Sequence, residues 1–183
     1  MKKPFLRLSG LLGIAALLLL TTCQKYKLPP ETQEGKNTFG CKINGKNWVP
    51  TGQAGSGGFR KILAVNGGFF QIGVDPTFYL YIRTYKEDES VQLFARNVTK
   101  PGTYPLIYLT ETAPNAVRPL NYGAVLYGTT EYVTTNTYKG VIHVSKADTL
   151  TGIIAGTFEF TAVNRTNSSK TIRVTDGRFD VKP

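Results

Sequence analysis

The chain has 183 residues, 22 basic against 12 acidic side chains, a formal net charge of +10, one histidine, two cysteines and one tryptophan. That length supports one domain with a real core and crowds two. One histidine leaves few ways to set a nucleophile beside a base, and with at most one cysteine left free once Cys23 carries lipid, the chain cannot supply the three or four nitrogen and sulfur ligands of a usual zinc site.

Lys2, Lys3 and Arg7 form a charged start, Leu11 to Leu20 is apolar, and Leu20-Thr21-Thr22-Cys23 has the form of a lipobox. The apolar run from Leu8 is about 13 residues, short of the roughly 20 a helix needs to cross a bilayer. Residues 1–22 are therefore predicted to be a cleaved lipoprotein signal. Thr22 stands where Gly, Ala or Ser is usual, so a plain secretory signal and an uncleaved anchor are the competing readings. Cleavage makes Cys23 the lipidated terminus of a 161-residue mature chain, and each buried acyl methylene contributes about 0.8 kcal/mol to membrane attachment. The expected address is the outer membrane, facing the periplasm or the exterior.

Without Lys2, Lys3 and Arg7 the basic residues fall to 19 against 12 acidic ones. They are scattered, which predicts solvated faces and no nucleic-acid partner; attraction to membrane phosphates, about 1 kcal/mol per well-placed cation, is the functional alternative. With lipid on Cys23, Cys41 is expected to be a buried, inert thiol. A Cys23 to Cys41 disulfide is the rival and requires that the lipid be absent.

Residues 24–37 are polar, hold Pro29-Pro30 and show no periodicity. They read as a flexible tether with an end-to-end distance of about 20 Å, followed by a single β domain over residues 38–183. Phe39 to Ile43, Asn44-Gly45 and Lys46 to Val49 form the strongest hairpin signal, because Asn-Gly adopts the positive φ angles of a type I′ turn. A two-residue loop sets Ile43 opposite Lys46 and Cys41 opposite Trp48, placing Phe39, Cys41, Ile43 and Trp48 on one buried face. Gly52 to Gly58 is glycine-rich without the ending of a phosphate loop, and reads as a loop.

Further strands are predicted at Lys61 to Val65, Phe69 to Val74, Phe78 to Tyr85, Val91 to Asn97, Leu106 to Leu109 and Tyr122 to Tyr127. The later ones are Glu131 to Thr135, Tyr138 to Ser145, Ile153 to Val163, Ile172 to Thr175 and Arg178 to Val181. Alternation puts Phe78, Leu80 and Ile82 on one face and Tyr79, Tyr81, Arg83 and Tyr85 on the other. Likewise Phe158, Phe160 and Ala162 oppose Thr157, Glu159 and Thr161. No stretch of the mature chain holds a helical period for three turns. The expected class is all-β, an antiparallel two-sheet β-sandwich, with a β-barrel as the alternative.

The chemistry-bearing residues are sparse. His143 alternates with Val141 and Ser145 against Ile142 and Val144, and reads as a surface histidine. Asp176 and Asp180 flank a predicted Asp176-Gly177 turn with Arg178 as countercharge, and Glu87-Asp88-Glu89 reads as a solvated hairpin loop. Neither cluster has the ligand spacing of a calcium site. No metal and no cofactor is expected. Tyr79, Tyr81 and Tyr85 are candidate ligand-binding residues, a stacking platform for sugars set against the ordinary preference of tyrosine for strands. Asp148-Thr149-Leu150 matches a short O-glycosylation sequon of exported proteins, with Thr149 as acceptor.

Leu28-Pro-Pro-Glu-Thr-Gln-Glu-Gly-Lys-Asn-Thr-Phe-Gly-Cys-Lys-Ile-Asn-Gly-Lys-Asn-Trp48, Ile154-Ala-Gly-Thr-Phe-Glu-Phe160 and Thr175-Asp-Gly-Arg-Phe-Asp180 resemble a family of small Bacteroidota lipoproteins of uncharacterised function. The resemblance implies a lipid-anchored, β-rich envelope protein and supplies no catalytic residue. The favoured expectation is a non-enzymatic lipoprotein that binds a glycan or an envelope protein, or is structural. The alternative is a carboxylate-dependent glycan- or peptide-processing enzyme.

Overall fold

The structure, a computed structural model, describes residues 26–54, 61–71, 78–107 and 121–183. Every regular element among them is a strand. In chain order these are β1 Thr38–Ile43, β2 Lys46–Trp48, β3 Gln53–Ala54, β4 Lys61–Ile62, β5 Val65–Gln71, β6 Phe78–Thr84 and β7 Glu89–Arg96. There follow β8 Gly102–Leu106, β9 Asn121–Tyr127, β10 Thr130–Val133, β11 Gly140–Ala147, β12 Ile154–Asn164 and β13 Thr171–Val181. The all-β class expected from the sequence is found. Short β-branched and aromatic runs punctuated by turn residues leave no period that a helix could bury.

Eleven strands form one antiparallel sheet in the order β2-β1-β13-β12-β10-β9-β7-β6-β5, with β11 on β12 and β8 on β11. β12 is the fork. Ile154 to Phe160 pair with β11, while Val163 and Asn164 pair with β10. The branches curl around one core in which Phe39, Trp48, Leu80, Ile82, Leu93, Val125, Ile142, Phe158, Phe160 and Phe179 are packed. The two layers of the expected sandwich are thus parts of a single hydrogen-bonded sheet. Gln53–Ala54, inside the stretch read as a loop, pairs with Lys61–Ile62 in a separate two-stranded ladder.

The first hairpin forms in the expected register, Cys41 opposite Trp48 and Ile43 opposite Lys46. Asn44 and Gly45 hold φ of 48° and 80°, the left-handed values that Gly tolerates without a Cβ penalty. Phe39, Cys41, Ile43 and Trp48 are all buried. Cys41 is a free thiol, and burial pushes its pKa well above the ordinary cysteine value.

Two local expectations need correction. The predicted Asp176-Gly177 turn between two strands is a bulge inside one continuous strand. Across from it, one residue separates Gly40 from Lys42 and Phe158 from Phe160, while β13 carries an extra residue at the same level. The extra residue shifts the phase of alternation, so Ile172 and Val174 point inward before the bulge and Phe179 and Val181 after it. A phase break of this kind reads in sequence like a turn. Second, Glu87-Asp88-Glu89 is only partly a solvated loop: Glu89 begins β7, and its Oε2 accepts the Trp48 indole N–H at 2.6 Å. That bond ties β2, at one end of the sheet, to β7 in the other branch.

Residues 26–37, read as a free tether, are docked. The side-chain amide of Asn47 donates to the Tyr26 carbonyl at 2.7 Å, and Lys86 Nζ sits 5.4 Å from the centre of the Tyr26 ring. Leu28 and Pro29 lie on the outer side of β1 at Gly40, where a Cβ would come within 2.6 Å of Pro29 Cδ. Arg178 Nη1 donates to the Pro29 carbonyl at 3.3 Å. The segment then wraps Asp180, which is 1% exposed. Thr32 Oγ1 donates to its Oδ2 at 2.6 Å, and the backbone N–H groups of Gly35 and Glu34 donate at 2.7 and 3.0 Å, with Lys36 N–H more distant at 3.4 Å. Burial opposes the Asp180 charge, but these donors outweigh it and hold the carboxyl below its usual range. A polar, aperiodic stretch stays on the surface of the domain because one carboxylate satisfies its backbone.

Candidate functional site

The outward side of the β6-β7-β9 branch carries a row of aromatic rings. Tyr81 pairs with Phe94 across β6 and β7, and Phe94 with Tyr122 across β7 and β9. Direct cross-strand register brings side chains within reach of one another. The ring centroids are accordingly 6.5 Å apart for Tyr81 and Phe94, and 5.6 Å for Phe94 and Tyr122. All three side chains are half-buried, while the opposite face of the same strands sends Leu80, Ile82, Leu93 and Val125 into the core. Gly68 pairs with Tyr81 from β5, and Pro183 packs against it, which closes that side of the row.

Tyr79 flanks this row, with its ring 5.9 Å from Phe94. It is 7% exposed. Arg96, its cross-strand neighbour, lays its guanidinium 5.4 Å from the ring centre, and Nη2 donates to the Tyr79 hydroxyl at 3.4 Å. Asn121 Oδ1 accepts the Arg96 backbone N–H at 2.9 Å, and its amide group donates to the Pro105 carbonyl. Of the three tyrosines named from sequence, Tyr81 is the one half-exposed in the row. Tyr79 points to the expected side but is covered there. Tyr85 lies past the end of β6, four residues or about 13 Å along the chain from Tyr81, with the Arg83 guanidinium 5.1 Å from its ring centre. Phe94, Tyr122 and Arg96 were missed, because they reach this face from strands whose pairing the sequence does not state.

A second outward feature lies across β11, β12 and β13. A groove of about 270 Å³ is lined by Glu31 of the docked segment, His143, Thr157, Glu159, Asp176 and Arg178. His143 is exposed, as expected, with Nδ1 3.0 Å from Thr103 Oγ1. Asp176 pairs directly with Lys42 Nζ at 3.1 Å, while Arg178, the countercharge read from sequence, donates Nε–H to the Asp176 backbone carbonyl and adds a weaker charge attraction. The Lys42 hydrogen bond is the largest influence holding the Asp176 carboxyl below its usual range, against a smaller desolvation. A glycosidase acid needs the opposite shift. No group of three His, Cys, Asp or Glu side chains suited to a metal occurs among the described residues.

Thr149 is exposed, beside Leu150, which is 96% exposed. Asp148 Oδ1 accepts the backbone N–H groups of Leu150 and Thr151 at 3.0 and 3.1 Å, so Asp148 builds the turn on which Thr149 is exposed. Cys23 lies outside the described residues.

Residues 69–183 match a family described as a domain of unknown function (DUF6252), and the chain belongs to that family. No curated protein and no solved structure matches the chain.

Proposed function

We propose that this member of the DUF6252 family is a lipid-anchored, non-enzymatic envelope protein that binds a glycan on the outward face of β6, β7 and β9. The observation that carries the reading is the Tyr81, Phe94 and Tyr122 row: three cross-strand rings, half-exposed, on the side of a sheet that the core does not use. Aromatic faces of this kind pack against the C–H faces of sugar rings, and their amphipathic edges tolerate water around the ligand. Arg96 beside Tyr79 adds a guanidinium at the margin, which favours glycans bearing carboxylate or phosphate groups. The anchor rests on Lys2, Lys3 and Arg7, the short apolar run and Cys23, and places the protein on the outer membrane with Thr149 open to O-glycosylation.

The alternative, a carboxylate-dependent glycan- or peptide-processing enzyme, would use the Glu31, Glu159 and Asp176 groove. Lys42 and the lowered pKa of Asp176 count against a proton donor there. Titrating the full chain with purified acidic and neutral envelope oligosaccharides separates the two. Tyr81→Ala and Phe94→Ala should weaken binding about tenfold or more while the melting temperature moves little, and the oligosaccharide should remain uncleaved. Undiminished affinity in both variants, or cleavage lost in Glu159→Gln, would replace this reading with the alternative. For the anchor, Cys23→Ala should abolish acyl labelling and release the protein from the membrane fraction.

A further inference from the structure

We infer that the docked segment 26–37 holds the domain against its membrane in one orientation, with the end that carries Tyr26, Lys27, Asn47 and the 85–88 turn facing the lipid headgroups. The inference rests on the lipid anchor proposed above and is independent of the glycan surface. Three peptide units separate Cys23 from Tyr26, so their Cα atoms are at most about 11 Å apart whatever path the intervening residues take. A free fourteen-residue tether would average about 20 Å and reach further when extended. The docked segment removes that freedom, because Tyr26 is fixed by Asn47 and Lys86, Pro29 by Gly40 and Arg178, and Thr32 to Lys36 by Asp180.

The direction follows from β1 and β13. Asn47 pairs with Lys42, and Lys42 with Thr175, so Tyr26 sits at the Thr175 level of β13. Gly35 lies against Ile153 and Lys182, and Ile154 pairs with Val181, which puts the 148–153 turn at the far end. Six residues of β13 separate the two levels, about 20 Å. Arg173 hydrogen-bonds Asn44 of the first hairpin turn, so the start of β13 lies at this near end as well, and the end is net basic, with Lys27, Lys46, Lys170 and Arg173 exposed against Glu87 and Asp88. Such a surface fits anionic phosphate headgroups, as phosphatidylglycerol carries. Thr149 and Leu150 then project away from the membrane.

The test uses full, acylated chain carrying Glu87→Cys or Leu150→Cys, each labelled with a thiol nitroxide; Cys41 is buried and Cys23 is occupied by lipid. The protein is reconstituted in phosphatidylethanolamine and phosphatidylglycerol vesicles doped with a paramagnetic nickel-chelating lipid. Relaxation of the label at position 87 should be enhanced several-fold over that at position 150. Asp180→Asn should reduce the difference, and a twelve-residue Gly-Ser insertion after Gln24, which leaves the domain untouched, should abolish it. Equal relaxation at the two positions in the uninserted chain, or a difference that survives the insertion, would overturn the inference. Absence of acyl label at Cys23 would overturn it together with the anchor, while the oligosaccharide titration would still decide the glycan surface.

Discussion

Replacing Trp48 probes the join between the two branches of the sheet. The indole is 4% exposed, packs edge-on against Phe39 at 6.3 Å, and donates Nε1–H to Glu89 Oε2 at 2.6 Å. A ring of this size buries on the order of 200 Å², about 5 kcal/mol at about 25 cal/mol per Å², and truncation of such a residue to Ala typically costs about 3–5 kcal/mol. Against a total stability of about 5–15 kcal/mol, Trp48→Ala should unfold much of the protein at growth temperature. Trp48→Phe is the sharper test, because it keeps an aromatic ring in the core and removes the N–H. Glu89 is then left with Lys86, whose Nζ is 3.6 Å away. The loss should be about 1.5–3 kcal/mol, the range for hydrogen bonds to a charged partner, toward the lower figure because water can reach a partly exposed carboxylate. Urea unfolding of the full chain followed by far-UV circular dichroism measures it. A cycle with Glu89→Gln should give a coupling of about 1 kcal/mol or more. If Trp48→Phe matches the parent, or the two substitutions are additive, the bond does not join the branches.

Other expected outcomes follow from single features. Gly45→Val should lower stability by about 1 kcal/mol or more, since φ is 80° and the space around the position is open; an unchanged melting temperature would refute a backbone cause. Gly40→Val should displace Pro29 and expose residues 26–37 to proteolysis at Lys27 and Lys36, with the rest of the domain resistant; an unchanged cleavage pattern would mean that Pro29 is not seated on β1. The Asp180 carboxyl titrates below its usual value in the folded protein, so its contribution is present in full above about pH 4 and is lost as pH falls through the folded value. The Gly35 amide proton resonance should therefore inflect below about pH 4 and should not inflect in Asp180→Asn; an inflection at or above the ordinary aspartate value would contradict the donor set.

What was legible in the sequence was local. Asn44-Gly45 encodes its own turn and, through loop length, the whole register of the first hairpin, so Trp48 could be placed in the core without knowing any other strand. The alternation in Phe78 to Tyr85 and in Gly156 to Ala162 likewise identifies the buried sides of β6 and β12. What was not legible depends on residues far apart in the chain. Asp180 binds donors 144 to 148 residues away, and nothing in residues 26–37 announces that a carboxylate will satisfy their N–H groups. The aromatic row needs three strands in one register, so counting tyrosines along β6 found Tyr81 but could not find Phe94 and Tyr122. It also could not show that Arg96 closes over Tyr79.

The span of the family match sharpens what each part of the chain does. It begins at Phe69 and so contains the whole aromatic row, the fork at β12 and Asp180, but neither the docked segment nor β1 and β2. Yet Phe39, Cys41, Ile43 and Trp48 belong to the same core as Phe158 and Phe179, and β1 supplies the hydrogen-bonded neighbour for β13. Without them β13 would expose an edge of unpaired N–H and C=O groups next to apolar side chains, which is the condition for aggregation rather than folding. The physical folding unit of this chain therefore includes β1 and β2, from about residue 38. Residues 26–37 dock on the same two strands, through contacts centred on Gly40 of β1 and on Arg178 and Asp180 of β13, so the packing that completes the core also builds the surface on which that segment lies.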